Sequence, residues 1–330
     1  MIAQRVPDFE SIGSELCAWY VFSRMTPPKE PPYRGLTNRP DGTAVLPAKT
    51  LAQYRPAHRG MLAVVAVSVW GTIAVLSFVG QLLGVPLLGA LMGFLLFVGL
   101  FRVLRRRTVA MVRAIEDSSA LIARHEFDRA AEQLDTVATP FGTNALLQAG
   151  IVHNRAVIEL MRGNLENAVR LFNPLLNTAP MNNPFAPLND PTHANLALAY
   201  ALLDRAKDAR EALAKITGKG SQLQQIGVNR AVCSARLRLG ETKEVIALYT
   251  DQWNDWEHTL PVASMRVTAL LRAFALSEQS PQETRTPEQE REIAQWLTYA
   301  GQPDRAATES FLLHWPQFRA FVQEREVSFR

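Results

Sequence analysis

The stretch from Gly150 to Pro180, GIVHNRAVIELMRGNLENAVRLFNPLLNTAP, decides how the larger part of this 330-residue chain is read. Like everything beyond Arg107 it has a helical pattern, with few alternating β-branched runs and frequent Ala at turn-spaced positions. Its run Asn154-Arg155-Ala156-Val157 recurs as Asn229-Arg230-Ala231-Val232, and Asn195-Leu196-Ala197-Leu198 is a third relative. Internal repetition predicts stacked helical units, each unable to bury its apolar face alone.

On these residues the chain resembles the tetratricopeptide repeat family, whose unit is an antiparallel helix pair with small residues where the helices cross. The match is best from Gly150 to Pro180: Ala156 and Ala168 take the small positions, Gly163-Asn164-Leu165 the turn, then Phe172 and the closing Pro180. Leu196, Ala197, Tyr200, Ala209 and Leu213 fall on corresponding positions of the next unit, and Ser118, Leu121, Phe127, Ala130 and Leu134 on those of the preceding one, which Pro140 ends. Another unit begins near Ile226 and turns at Gly240-Glu241-Thr242, with Val245 and Tyr249 behind; its Asn-Arg-Ala-Val run stands two residues farther from the turn. Ala294, Leu297, Gly301, Pro303 and Ala306 repeat the pattern near the end, while 260–286 fits poorly. Residues 181–191 insert a Pro/Asn-rich loop. The resemblance implies an all-α solenoid over residues 108–330 with a concave groove for a peptide or helix. It assigns ligand contact to Asn154, Asn195 and Asn229, with His153 as a neighbour. The basic clamp that some members use for a terminal carboxylate is not reproduced.

Upstream, Gly60 to Phe101 contains no Asp, Glu, Lys, Arg or His. As one helix it would be about 60 Å long, roughly twice the thickness of a bilayer's hydrocarbon core. Gly84-Val85-Pro86 supplies a break, because Pro removes a backbone donor and Gly tolerates a turn. The prediction is a two-helix transmembrane hairpin over 60–104, flanked by Arg55 and Arg59 before it and by Arg102, Arg105, Arg106 and Arg107 after it. Arginines at both outer ends place both termini in the cytoplasm of an integral membrane protein, with the bacterial inner membrane as the setting. Gly80-x-x-x-Gly84 and Gly89-x-x-x-Gly93 permit close helix approach, within the hairpin or between copies in a homo-oligomer.

Before the hairpin, residues 1–26 hold a short helix with Phe9, Ile12, Leu16, Trp19 and Tyr20 at helical spacing. Residues 27–59 read as a linker, stiffened by Pro27-Pro28 and Pro31-Pro32.

The net charge of +4 hides an uneven distribution, since the excess of basic residues lies up to Arg107 and the remainder is slightly acidic. That balance argues against nucleic acid. Two cysteines, Cys17 and Cys233, exclude a disulfide scaffold. Six scattered histidines without paired spacing give no metal site, and no phosphate loop or nucleophile elbow appears, so neither cofactor nor catalytic residue is expected. Trp253-Asn254-Asp255-Trp256-Glu257-His258 is the nearest approach to a chemical cluster, but one helical segment cannot bring all six to one point. The expected function is a membrane-anchored adaptor or scaffold that binds a protein partner in its groove. The alternative is a structural subunit of a secretion, motility or envelope machine that uses the hairpin as an assembly surface.

Overall fold

The computed structural model describes residues 60–82, 84, 86–138, 145–177, 187–280 and 282–330. The expected N-terminal helix, the linker with Arg55 and Arg59, and the unit-ending Pro140 and Pro180 lie outside these residues. Within them the chain is all-helical, with no strand. The helices are α1 (Gly60–Leu82), α2 (Pro86–Ala123), α3 (Phe127–Val137), α4 (Ala145–Met161), α5 (Leu165–Leu176), α6 (Asn189–Leu202), α7 (Ala206–Ala214), α8 (Gln222–Arg238), α9 (Thr242–Thr259), α10 (Val262–Gln279), α11 (Pro287–Ala300), α12 (Arg305–His314) and α13 (Pro316–Glu324).

The helices α1 and α2 form the expected hairpin, reversing at Gly84, whose φ is +70° and whose N–H donates to Gln81 O at 3.1 Å. Pro86 opens α2, where its missing N–H costs nothing. The helices approach closely at glycine: a Cβ on Gly93 would stand 3.3 Å from Ile73 Cγ2, and Gly80 and Gly93 are both buried. Gly93 therefore serves packing inside the hairpin.

The two-span membrane reading is corrected. Among the described residues no helix is long and apolar enough to cross a membrane. Nor does α2 end at Leu104: it carries Arg102, Arg105, Arg106, Arg107 and Arg113 along one continuous rod and enters the helical body as the partner of α3.

Beyond Arg107 the body is repeat-like. Helices α2 and α3, α4 and α5, α6 and α7, and α8 and α9 pack as consecutive pairs, and α2, α4, α6 and α8 also contact one another in succession. Each pair turns in the same way. His125, Gly163, Asp204 and Gly240 have φ of +61°, +79°, +59° and +81°. The residue after each donates its N–H back into the first helix: Glu126 to Leu121 O, Asn164 to Glu159 O, Arg205 to Tyr200 O and Glu241 to Arg236 O, at 2.8 to 2.9 Å. A left-handed residue here satisfies carbonyls that the helix end leaves open and turns the chain back.

Aligned on these turns, Ser118, Ala156, Ala197 and Cys233 occupy one position of the first helices and are fully buried. Ala130, Ala168, Ala209 and Val245 do the same in the second helices. Small side chains at both positions let the paired helices approach, and Leu134, Phe172 and Tyr249 fill the space beyond. The poorly fitting segment 260–286 contains α10, which is buried on most of its circumference.

The last helices close back on the earlier ones. Phe274 of α10 meets Trp315, Phe318 and Phe321 at centroid distances of 5.1, 5.4 and 5.3 Å. Helix α12 packs on α4, and His314 Nε2 lies 2.8 Å from Gly163 O. His125 Nδ1 lies 3.1 Å from Asp304 Oδ2, so two of the four repeated turns touch the C-terminal segment.

Candidate interaction sites

The four groove residues expected from the sequence are engaged inside the fold. Asn154 Nδ2 donates to Ser118 Oγ and Ser119 Oγ, each at 3.0 Å, which ties α4 to α2. Asn195 Nδ2 donates to Pro191 O one turn back at 2.9 Å. Asn229 Nδ2 points to Gln252 Oε1 at 3.5 Å, on the second helix of its own pair. His153 is buried, hydrogen-bonded through Nδ1 to Thr192 Oγ1 at 3.0 Å and edge-on to Phe172. Burial lowers its pKa to about 4, so it is neutral at ordinary pH.

The turns also settle the register. Asn195 matches Asn154, whereas Ala231 stands at that position in the next unit and Asn229 lies two residues before it. Arg230 accordingly takes the place that His153 holds in α4. The recurring Asn-Arg-Ala-Val run is a likeness of sequence shifted against the likeness of structure.

The 253–258 segment is divided between faces. Trp256 is fully buried against Tyr249, with ring centroids 5.6 Å apart. Trp253 packs against Trp296 at 4.4 Å, and the Arg272 guanidinium lies 4.0 Å from the Trp296 centroid. His258 is exposed and bonded through Nδ1 to Asn254 O at 2.7 Å. Among the described residues no group of His, Cys, Asp and Glu could hold a metal ion. Cys233 is buried, and burial pushes its thiol up to about 12, which keeps it out of thiolate chemistry.

One buried carboxylate of the body is held by several partners. Arg155 Nη2 lies 3.2 Å from Glu159, a buried carboxylate that also accepts from Asn164 at 2.9 Å and Asn167 at 3.3 Å. Such a network holds the turn of the second pair.

Among the described residues, the hairpin exposes many large apolar side chains. Trp70, Phe78, Leu82 and Phe94 are 68%, 61%, 71% and 62% exposed, and Val75, Leu91, Leu95 and Phe101 are exposed with them. Directly beyond, Arg102, Arg105, Arg106 and Arg113 line one open face with Val109 and Ala110. The absence of charge from Gly60 to Phe101 marked the segment in the sequence, but not which of its side chains the partner helix leaves uncovered.

Among the described residues, the chain is all-helical and repeat-like, with an apolar two-helix hairpin ahead of the helical body. Neither a protein-family model, nor a curated protein, nor a solved structure matches the chain.

Proposed function

We propose that the chain is a non-catalytic scaffold: a solenoid similar to the tetratricopeptide repeats receives a segment of a partner protein, and the apolar hairpin is an assembly surface. The exposed apolar side chains of α1 and α2 carry this reading. Large apolar surfaces left in water mark places where another molecule sits, and a hairpin locked at Gly93 offers them on a preformed support that loses little entropy on docking. The arginine face of α2 adjoins that surface and selects for acidic neighbours. The structural-subunit version, in which the hairpin itself makes the assembly contacts, fits this surface better than a groove lined by Asn154, Asn195 and Asn229, whose side-chain amides are already bonded.

The test compares the full chain with a Phe78→Gln, Phe94→Gln double variant by crosslinking and affinity capture from cells, with vesicle flotation in parallel. The expected result is a defined set of crosslinked proteins that the variant loses by at least tenfold, while its melting temperature stays within a few degrees. Retention of the same proteins by the variant overturns the proposal. Flotation with lipid vesicles in place of protein capture overturns it as well.

A further inference from the structure

At the base of the hairpin, α2 presents a mixed basic and apolar face. Phe101, Arg102, Arg105, Arg106, Val109 and Arg113 are all exposed, and their spacing of three and four residues puts them on one side of the helix. No Asp or Glu stands between Phe101 and Ile115 to offset the arginines. Exposed apolar side chains among like charges make a surface suited to an occupant that is itself apolar and acidic.

The hairpin brings the start of α1 back to the height of this face. The chain reverses at Gly84, and the close approach of Gly93 to Ile73 fixes the register of the two helices. Gly60 lies thirteen residues before Ile73, and Arg106 stands thirteen after Gly93, so Gly60 is level with Arg106. Whatever precedes α1 therefore meets the fold at the height of the arginines, away from the turn.

Residues 8–20 lie outside the described residues, and their sequence complements the face. Asp8, Glu10 and Glu15 are there, and no basic residue stands between Arg5 and Arg24. Read as a helix, Phe9, Ile12, Leu16 and Trp19 form one stripe, with Asp8 and Glu15 two turns apart along its edge. From Asp8 to Tyr20 such a helix is about 18 Å long, the same as α2 from Phe101 to Arg113. The 39 residues from Val21 to Arg59 can extend to about 130 Å, far more than the connection needs. Tethering makes docking intramolecular, at an effective concentration on the order of mM. A second copy of the same face would instead bring arginines against arginines, which repel.

We propose that residues 8–20 dock on the base of α2 in the same chain, the apolar stripe against Phe101 and Val109, with Asp8 and Glu15 paired to the arginines. The charge-assisted hydrogen bonds give the docking its register. An acidic partner then reaches the arginine face only by displacing the segment. The inference goes beyond the assembly reading and does not depend on it, since Phe78 and Phe94 lie nearer the turn.

The chain supplies its own probe, because Cys17 lies in the segment and the other cysteine, Cys233, is buried. The full chain carrying Ala110→Cys, at the exposed edge of the arginine face, is treated with a short bismaleimide; Glu244→Cys, exposed on α9, measures what tethering alone achieves. The expected product joins Cys17 to position 110 within one chain, at a yield that does not change on dilution and is at least fivefold above that at position 244. The pair Arg102→Glu and Arg106→Glu, or the pair Asp8→Lys and Glu15→Lys, should each cut that yield at least fivefold. Combining both pairs should restore it to within about twofold, as pairing requires and general damage would not produce. Equal yields at positions 110 and 244 overturn the proposal, as does a yield that neither reversal lowers. A combined variant that stays low overturns the pairing. Crosslinks between two chains that fall with dilution assign the face to a second copy and overturn the intramolecular docking. Melting temperatures report whether each variant is folded; if the arginine reversal is not, the Asp8 and Glu15 reversal decides alone. Capture through Phe78 and Phe94 enters none of these readouts, so the assembly-surface reading stands or fails separately.

Discussion

Two glycines at equivalent turns separate backbone strain from crowding. Gly163 and Gly240 have φ of +79° and +81°, so a side chain at either costs about 1–2 kcal/mol in conformation. At Gly240 an added Cβ meets open space, whereas at Gly163 it would stand 2.9 Å from Leu313 Cδ1 and 3.3 Å from His314 Nε2. Gly240→Ala is expected to cost about 1 kcal/mol and Gly163→Ala about 2–4, because the second must also displace packed atoms. Denaturant melts of the two variants check the difference, and equal losses would show that α12 is not seated on that turn. His153 gives a pH signature. Its pKa falls from 6.5 in the unfolded chain to about 4 in the folded one, so its contribution is whole above pH 6.5 and lost as pH falls toward 4, where the unfolded chain takes up the proton first. The full shift corresponds to as much as about 3 kcal/mol. His153→Gln keeps a hydrogen-bonding group beside Thr192 and removes the titration, so between pH 7 and pH 4.5 the variant should lose less stability than wild type. Identical losses would mean that water reaches the ring. At this scale the small positions were legible, since Ser118, Ala156 and Ala197 stand where the spacing puts them. The turns at His125 and Asp204 were not, because a non-glycine residue in the left-handed region leaves no mark in composition.

Among the elements, the break at Gly84 to Pro86 was legible, because turn and helix-start chemistry agree there. The continuation of α2 to Ala123 was not: arginine ends an apolar run without ending a helix, being itself a good helix former. Helix α10 escaped for a related reason, since its buried residues cover most of its circumference and leave no single apolar stripe to read. By contrast, the start of α11 is written out, with Thr286 capping Gln289 N–H, Gln289 returning the bond and Pro287 in the first turn. The register of the asparagines was not legible: three with similar neighbours occupy two different structural positions, and each is engaged by a bond within the body. The hairpin offers its own test. Gly93→Leu adds bulk where even a Cβ would lie 3.3 Å from Ile73, so α1 and α2 must separate at a cost of about 1–3 kcal/mol. Amide exchange in α1 around Ile73 should speed up by about tenfold while that of α4 to α9 is unchanged. Unaltered exchange in α1 would show that the hairpin does not depend on this contact.

For the whole molecule, the question is how far damage travels. In a plain array of repeats each unit meets only its neighbours, so loss of packing at one end leaves the other intact. Here α12 rests on α4, His314 lies against Gly163 O and His125 faces Asp304, which joins the end of the chain to units far earlier in sequence. Phe274→Ala probes this connection from inside, because Phe274 is buried and touches Trp315, Phe318 and Phe321 together. Removing the ring is expected to cost about 3–5 kcal/mol. If the ends are mechanically joined, exchange should rise both in α13 and at the Glu126 and Asn164 amides, which close the first two turns. Protection retained at those two amides while α13 opens would show that the body behaves as a simple row of pairs. The closing contacts would then be surface touches, because a contact that shares the folding free energy of both ends cannot be lost at one of them alone.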